Sequence, residues 1–374
     1  MNGADGNVNE ANGSANETDG NARVAAGSAR GADGSAKGAV MDAEMREQPA
    51  RLSALIDRAP QIEAAVRGLV GPDLAGVTVV ARGSSDHAAM YGRYLLETAT
   101  GKPVSMAAPS LHTLYGIEAD YRGQLVVAVS QSGATPEIVT TLRRLCEGGG
   151  RGLAVTNDAS SELALAADAV LELGAGEERA VPATKTVTAQ LVAFALVAAA
   201  LGPLPFSPAE LARVPSWVSA VLEDPSAVEP AAEALEGCDR LVVVARGYLY
   251  GAALEAALKI KETCALLADG YSSADLRHGP IAAVTQGIPV IVLDVPGPAH
   301  SDVAELAAEL RERGAQVVVI GSLPEADVGL PADMPEALAP VGAVVRAQQL
   351  ARSLSLRSGF DPDAPAGLSK VTAT

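Results

Sequence analysis

Ser130-Gln131-Ser132-Gly133-Ala134-Thr135 is the first stretch of this chain whose residue types and spacing suit chemistry. It follows the apolar run Leu125 to Val129 and precedes Pro136, so it reads as a strand end opening a helix. Backbone N–H groups at a helix start face outward and attract an anion, and the helix dipole adds to that attraction. Ser and Thr hydroxyls supply further donors, and Gly133 lets the backbone approach closely. The same residues are ordinary helix caps, so the loop reads either as a phosphate cradle or as a cap. A second hydroxyl-rich loop, Gly83-Ser84-Ser85, ends a neighbouring strand, as expected around a switch point of an open sheet. The loop has no lysine of the nucleoside-triphosphate type, which disfavours such a ligand.

Three further groups stand out. Glu255, Lys259 and Glu262 are spaced i, i+4, i+7 and share one helical face. That face is either a solvated ion pair or, near a sheet's carboxyl edge, a carboxylate able to move protons on a sugar carbon. In Asp275-Leu276-Arg277-His278-Gly279-Pro280, the Gly-Pro step cannot continue a helix, so His278 is presented on a turn. The tail Gly367-Leu368-Ser369-Lys370-Val371-Thr372 carries a lysine between two apolar residues, which suggests packing. His87 reads as a cap or a ligand contact, and His112 and His300 as surface or structural residues.

Strands alternating with helices must position these groups. Val77 to Ala81, Leu125 to Val129, Leu153 to Thr156 and Ala169 to Leu173 read as strands. Helices are expected over Ala88 to Thr98, Pro136 to Cys146 and Leu191 to Leu201. The pattern predicts an α/β fold with a parallel sheet and right-handed crossovers. The punctuation Gly202-Pro203-Leu204-Pro205-Phe206-Ser207-Pro208 separates two halves. A shift of 164 positions carries Val79-Val80-Ala81-Arg82-Gly83 onto Val243-Val244-Ala245-Arg246-Gly247 and Gly133 onto Gly297. The same shift carries Val126 to Val129 onto Val290 to Leu293, and Leu153 to Val155 onto Val317 to Val319. The chain therefore reads as a duplicated α/β unit. The second copy has Asp294-Val295-Pro296 where the first has Ser130-Gln131-Ser132, which makes the first copy the anion binder. The expected organisation is a disordered leader at 1–44, a first unit at 45–205, a second at 206–355 and a closing tail at 356–374. Residues 1–40 contain no Leu, Ile or aromatic residue and cannot offset their ordering entropy.

Composition sets the outer limits. The chain has 374 residues, with 28 Lys plus Arg against 45 Asp plus Glu, a net charge of −17. That disfavours nonspecific binding to nucleic acid or an anionic membrane. Apolar residues make up 48% and aromatics 3%, so the core is built from Ala, Val and Leu, as suits buried parallel strands. The three cysteines form no CxxC pair and the four histidines no ligand pair, so no metal or other cofactor is expected. The apolar run Leu191 to Leu201 is too short to span a bilayer, and no secretory signal is seen. A cytoplasmic location is expected.

The motifs Gly83-Ser84-Ser85, Ser130-Gln131-Ser132-Gly133-x-Thr135, Ala183-Thr184-Lys185, Leu258-Lys259-Ile260-Lys261-Glu262 and Leu276-Arg277-His278-Gly279-Pro280 occur in that order. Together they resemble the tandem sugar-isomerase (SIS) domains. They are similar to the isomerase half of glutamine–fructose-6-phosphate transaminase and to stand-alone glucosamine-6-phosphate deaminases. The resemblance starts at Glu47-Gln48-Pro49 and implies two SIS domains, each a three-layer αβα sandwich around a mostly parallel sheet. It implies a phosphorylated amino sugar as substrate, with Ser130, Gln131, Ser132 and Thr135 on the phosphate. Gly83, Ser84, Ser85, Ala183, Thr184 and Glu255 would complete the sugar site. Glu262 would shuttle a proton between C1 and C2, and Lys259 would support the reacting hydroxyls. His278 would assist ring opening from the neighbouring subunit of a homodimer. Lys370 would form a Schiff base with the open-chain ketose.

Two departures shape the expected activity. The transaminase's glutaminase region corresponds here to the low-complexity leader, so glutamine hydrolysis is not expected. Ala183 stands where the family has a serine, and Arg82-Gly83-Ser84-Ser85-Asp86 is closer to the deaminases. The implied reaction converts glucosamine 6-phosphate and water to fructose 6-phosphate and ammonia. A fructosamine-6-phosphate deglycase, a galactosamine-6-phosphate deaminase and a sugar-phosphate-sensing regulator are the alternatives. The joint presence of Glu262, His278 and Lys370 favours chemistry over sensing.

Overall fold

The computed structural model describes residues 36–370. Two five-stranded sheets, wholly parallel in their pairings, stand one after the other in the chain. The first contains β1 (Gly76–Val80), β2 (Val104–Met106), β3 (Gln124–Val129), β4 (Arg151–Thr156) and β5 (Ala169–Glu172), in the order β2-β1-β3-β4-β5. The second contains β6 (Arg240–Ala245), β7 (Leu267–Ser272), β8 (Pro289–Asp294), β9 (Gln316–Gly321) and β10 (Val328–Gly329), in the order β10-β9-β8-β6-β7. Read from the opposite edge, the second order repeats the first. Central strands such as β3, from Leu125 to Val129, are buried on both faces, which is why they read as unbroken apolar runs.

The helices of the first half are α1 (Ala39–Ile56), α2 (Ala59–Leu69), α3 (Ser84–Thr100), α4 (Pro109–Thr113), α5 (Pro136–Glu147), α6 (Glu162–Ala166) and α7 (Lys185–Leu201). Those of the second are α8 (Pro208–Leu211), α9 (Val214–Glu223), α10 (Glu229–Leu235), α11 (Tyr250–Cys264), α12 (Ser273–Arg277), α13 (His300–Glu312) and α14 (Ala339–Arg357). Helix α7 is apolar nearly all round and buried along most of its length, as a helix at the centre of a large core must be. It packs on α3, α1 and α2, while α11 packs on α14 and α3. One apolar core therefore runs from the first sheet into the second.

The duplication is real, but its register is not uniform. Val77↔Val104 and Val77↔Leu125 in the first sheet become Leu241↔Ala268 and, one step on, Val242↔Val290 in the second, at the shift of 164. At the next strand Val126 pairs with Gly152, whereas Val290 pairs with Val317, one residue beyond the expected position. A strand buried on both faces lacks the alternation that would reveal a one-residue slip. The expected leader also ends too late. Helix α1 starts at Ala39, and Met41, Glu44 and Met45 are buried. The Asp363 carboxylate accepts hydrogen bonds from the N–H groups of Val40 at 3.0 Å and Met41 at 2.7 Å, so the start of α1 is satisfied by a residue distant in sequence. The disorder expected before residue 36 lies outside the described residues.

The α3–α7 crossing is close because Gly92 faces Phe194. A Cβ at Gly92 would lie 2.2 Å from the Phe194 ring, and Phe194 is buried. Gly92→Ala is expected to cost about 1–3 kcal/mol through overpacking. Urea unfolding against the native protein checks this, and an unchanged midpoint would contradict the packing described.

Candidate active site

The carboxyl ends of β1 and β3 open onto a cavity of about 430 Å³, the usual ligand position in an open parallel sheet. Gly83, Ser84 and Ser85 from the first strand end line it, with Ser130, Gln131, Ser132 and Thr135 from the second. Thr135 is the N-cap of α5 and Pro136 opens that helix, but the Thr135 hydroxyl makes no cap bond. It faces the Ser130 hydroxyl at 3.3 Å instead. Pro136 has no N–H, and the N–H groups of Ile138 and Val139 donate to the Thr135 carbonyl at 3.1 Å, so the donors this loop offers an anion are chiefly its hydroxyls. Gly133 takes φ +62°, and a Cβ there would lie 2.0 Å from the Ser161 oxygen. The glycine is thus required both by backbone conformation and by space.

Helix α11 supplies the charged end of the cavity wall. Its charged face is not solvated: Glu255 is 1% exposed and Lys259 0%, and only Glu262 reaches the cavity. Lys259 pairs with Glu262 and lies 3.4 Å from Glu255. Glu255 accepts hydrogen bonds from the Ser84 hydroxyl at 2.9 Å and lies 2.9 Å from His87 Nδ1. Burial acts first to raise the Glu255 carboxyl, but Lys259, His87 and Ser84 overcome it and hold the group below the ordinary range. Burial likewise favours neutral Lys259, and the two glutamates reverse this and hold it above the ordinary range. Glu255 does not line the cavity; it stands behind the wall and fixes Ser84 and Lys259. His87, placed by sequence against a ligand or a cap, supports Glu255 instead.

The tail closes the cavity with Leu368, Ser369 and Lys370. The Lys370 ammonium donates to the Glu178 carboxylate at 2.6 Å and to the Ala180 carbonyl at 2.8 Å. Glu178 is buried and also accepts from the backbone N–H groups of Thr184 at 3.0 Å and Thr186 at 3.1 Å, at the start of α7. Burial would raise this carboxyl, but Lys370 and those N–H groups bring it below the usual range. Ala183 lines the cavity, but Thr184 does not. The Thr184 side chain is buried toward Glu178 and its carbonyl accepts from Gln348 at 3.2 Å, which is the role of a fixed helix start. His278 lies exposed at the end of α12 and lines no part of its own chain's cavity. His112 is buried with Nδ1 3.1 Å from the Ile117 carbonyl, a structural placement.

The second copy lacks an equivalent cradle. Asp294 sits where Ser130 would be and lies 3.0 Å from His300 Nδ1. The Glu336 carboxylate crowds Gly297, where an added Cβ would fall 2.3 Å from its oxygen. Negative charge already fills the place an anion would take. Among the described residues no group of three or more His, Cys, Asp or Glu side chains is placed to hold a metal ion, and no helix is long and apolar enough to cross a membrane.

A family model described as the SIS domain matches residues 76–200 and 234–334, one match on each sheet. The chain belongs to the SIS domain family. Among the relatives of this SIS chain is the glutamine–fructose-6-phosphate aminotransferase (isomerizing) of Methanothermobacter thermautotrophicus, 32% identical over 335 residues. That match covers 87% of this chain and 56% of the relative. The chain thus spans about half the length of the curated relatives it matches. A solved structure from Silicibacter pomeroyi, assigned as a phosphosugar isomerase, is 32% identical with a TM-score of 0.78, covering 87% of this chain and 99% of that one. The glucosamine-6-phosphate deaminase of Thermotoga maritima shares the fold, with a TM-score of 0.73 and 22% identity over 90% of this chain and 100% of that one.

Sequence reasoning missed Glu178, Thr186 and Gln190 in this SIS cavity. Glu178 lies on an irregular loop after β5, where no spacing marks it. Thr186 and Gln190 are detectable, since they lie one helical turn apart in the polar first turns of a helix that is apolar from Leu191 on.

Proposed function

We propose that this SIS protein is an aldose/ketose isomerising deaminase that converts glucosamine 6-phosphate and water to fructose 6-phosphate and ammonia. The observation that carries the reading is one cavity holding a hydroxyl-lined helix start, the Glu262 carboxylate beside a buried lysine, and the Lys370 amine. The helix start takes the 6-phosphate through the Ser130–Thr135 loop. The open-chain sugar then places C1 and C2 near Glu262, whose carboxylate removes the C2 proton and returns it to C1. Lys259 holds the carboxylate in place and balances its charge. As the aldehyde oxygen takes up a proton and the amine gives one up, the product is an imine at C2 with a hydroxyl on C1. Attack by the Lys370 amine releases ammonia and leaves a lysine imine, and water then returns fructose 6-phosphate and the free lysine. Lys370 is ion-paired with Glu178, and its amine must be free of that contact to attack. His278 serves the cavity of a partner subunit in a homodimer, since it lies outside the cavity of its own chain.

The test is ammonia release from glucosamine 6-phosphate by purified protein without glutamine. Release that disappears in Glu262→Gln supports the deaminase. No release, with thermal stabilisation by the sugar phosphate, would replace it with a deglycase or a sensor. Release only from galactosamine 6-phosphate would replace the substrate and keep the chemistry.

A further inference from the structure

We infer that Gln190, paired with Ser85, is a specificity-determining residue that reads a hydroxyl on the carbon chain of the sugar phosphate and takes no part in binding the phosphate. The inference rests on the reading above for the class of ligand and for the parts of it taken by the Ser130 loop and by Glu262. Gln190 lies in α7, is 1% exposed and lines the cavity. Its Nε2 donates to the Ser85 oxygen at 3.0 Å. Its Oε1 is buried and has no hydrogen-bond partner among the described residues. Most of α7 around it is Ala, Val and Leu. An unpaired carbonyl is costly there, and helix packing alone gives no reason for an amide.

The donor and acceptor count defines what the ligand must supply. A hydroxyl has one proton and can also accept. The Ser85 oxygen already accepts from Gln190, so its own proton is free to be donated to another group. Gln190 Oε1 needs a donor. Between them the pair leaves one donor and one acceptor unmatched, the complement of an alcohol. A phosphate dianion offers acceptors only and cannot satisfy Oε1. With the phosphate assigned to the Ser130 loop and the reacting carbons to Glu262, the remaining alcohols are the groups left for the pair to read. A site that hydrogen-bonds an alcohol discriminates strongly against an analogue lacking it, because its buried polar groups are then left unpaired.

The experiment is calorimetric binding to the native protein and to Gln190→Met, which fills similar space without the amide. The ligands are inorganic phosphate, glucitol 6-phosphate, and its 3-deoxy and 4-deoxy analogues. None of these has a carbonyl, so none turns over. The expected result is an unchanged phosphate affinity, which also reports an intact fold, and glucitol 6-phosphate binding weakened roughly tenfold in the variant. Removing one of the two hydroxyls should cost the native protein roughly the same factor and the variant almost nothing. Equal glucitol 6-phosphate binding by both proteins would overturn the inference. So would a parallel loss of phosphate affinity, which would make Gln190 a support for the loop. So would equal penalties for each deoxy analogue in both proteins. The readout is binding, so failure of ammonia release would overturn the deaminase and leave this assignment to its own result.

Discussion

Glu262→Gln is expected to lower turnover of glucosamine 6-phosphate by about a thousandfold while inorganic phosphate still binds within about twofold of the native affinity. The amide keeps the size of the carboxylate and an oxygen for Lys259, so the cavity wall is preserved. What it loses is the ability to accept the C2 proton at neutral pH. General base catalysis contributes roughly 10²–10⁴ to rate, which sets the expected range. The measurement is steady-state ammonia release with phosphate binding on the same preparation. A loss in kcat with little change in KM marks a group that acts in the transition state. A fall of less than about tenfold would remove Glu262 from the proton-transfer role. Glu255 cannot take it over, because it is buried behind the wall and already committed to Lys259, Ser84 and His87.

Lys259→Met is expected to cost about 3–5 kcal/mol of stability, the usual result of removing one partner from a buried ion pair. Lys259 is fully buried, and without it Glu255 keeps only Ser84 and His87. The pH dependence has a definite sign. In the native protein Glu255 is held below its ordinary range despite burial. It therefore adds stability above its unfolded pKa and loses it as pH falls through the folded value. In the variant burial is no longer opposed by the lysine, so the carboxyl rises and folds best when protonated. Its contribution is then lost as pH rises through that raised value. The stability gap between the two proteins is thus expected to be wider at about pH 8 than at about pH 5. Urea unfolding at both values measures it. A gap that is equal at both, or reversed, would mean that Glu255 does not depend on Lys259. The double variant Glu255→Gln, Lys259→Met should recover part of the loss, because it leaves no lone buried charge.

Much of the first sheet was legible from residues alone. β1, β3, β4 and β5 lie where the Val-rich runs place them, to within two residues. The short strand β2 was not seen, since Val104-Ser105-Met106 is too brief to show a period. The one-residue slip at β9 was invisible for a related reason: a run of valines buried on both faces looks the same in either register. The leader was drawn to residue 44, past the start of α1, because the composition there is weak, and the order of that segment comes from Asp363 and from the burial of Met41 and Met45.

The residue spacing determined that Glu255, Lys259 and Glu262 share a helix face, and that a hydroxyl-rich loop opens α5. These follow from local geometry, which a chain carries in its order of residues. Which of the three charges meets the ligand was decided only by packing. The crossing of α11 over α3 brings Ser84 and His87 against Glu255 and leaves Glu262 facing the cavity. Tertiary structure also brought Lys370 to Glu178 across 192 positions and set Gln190 beside Ser85 across 105. Such pairings depend on where distant elements come to rest, and no local period records them.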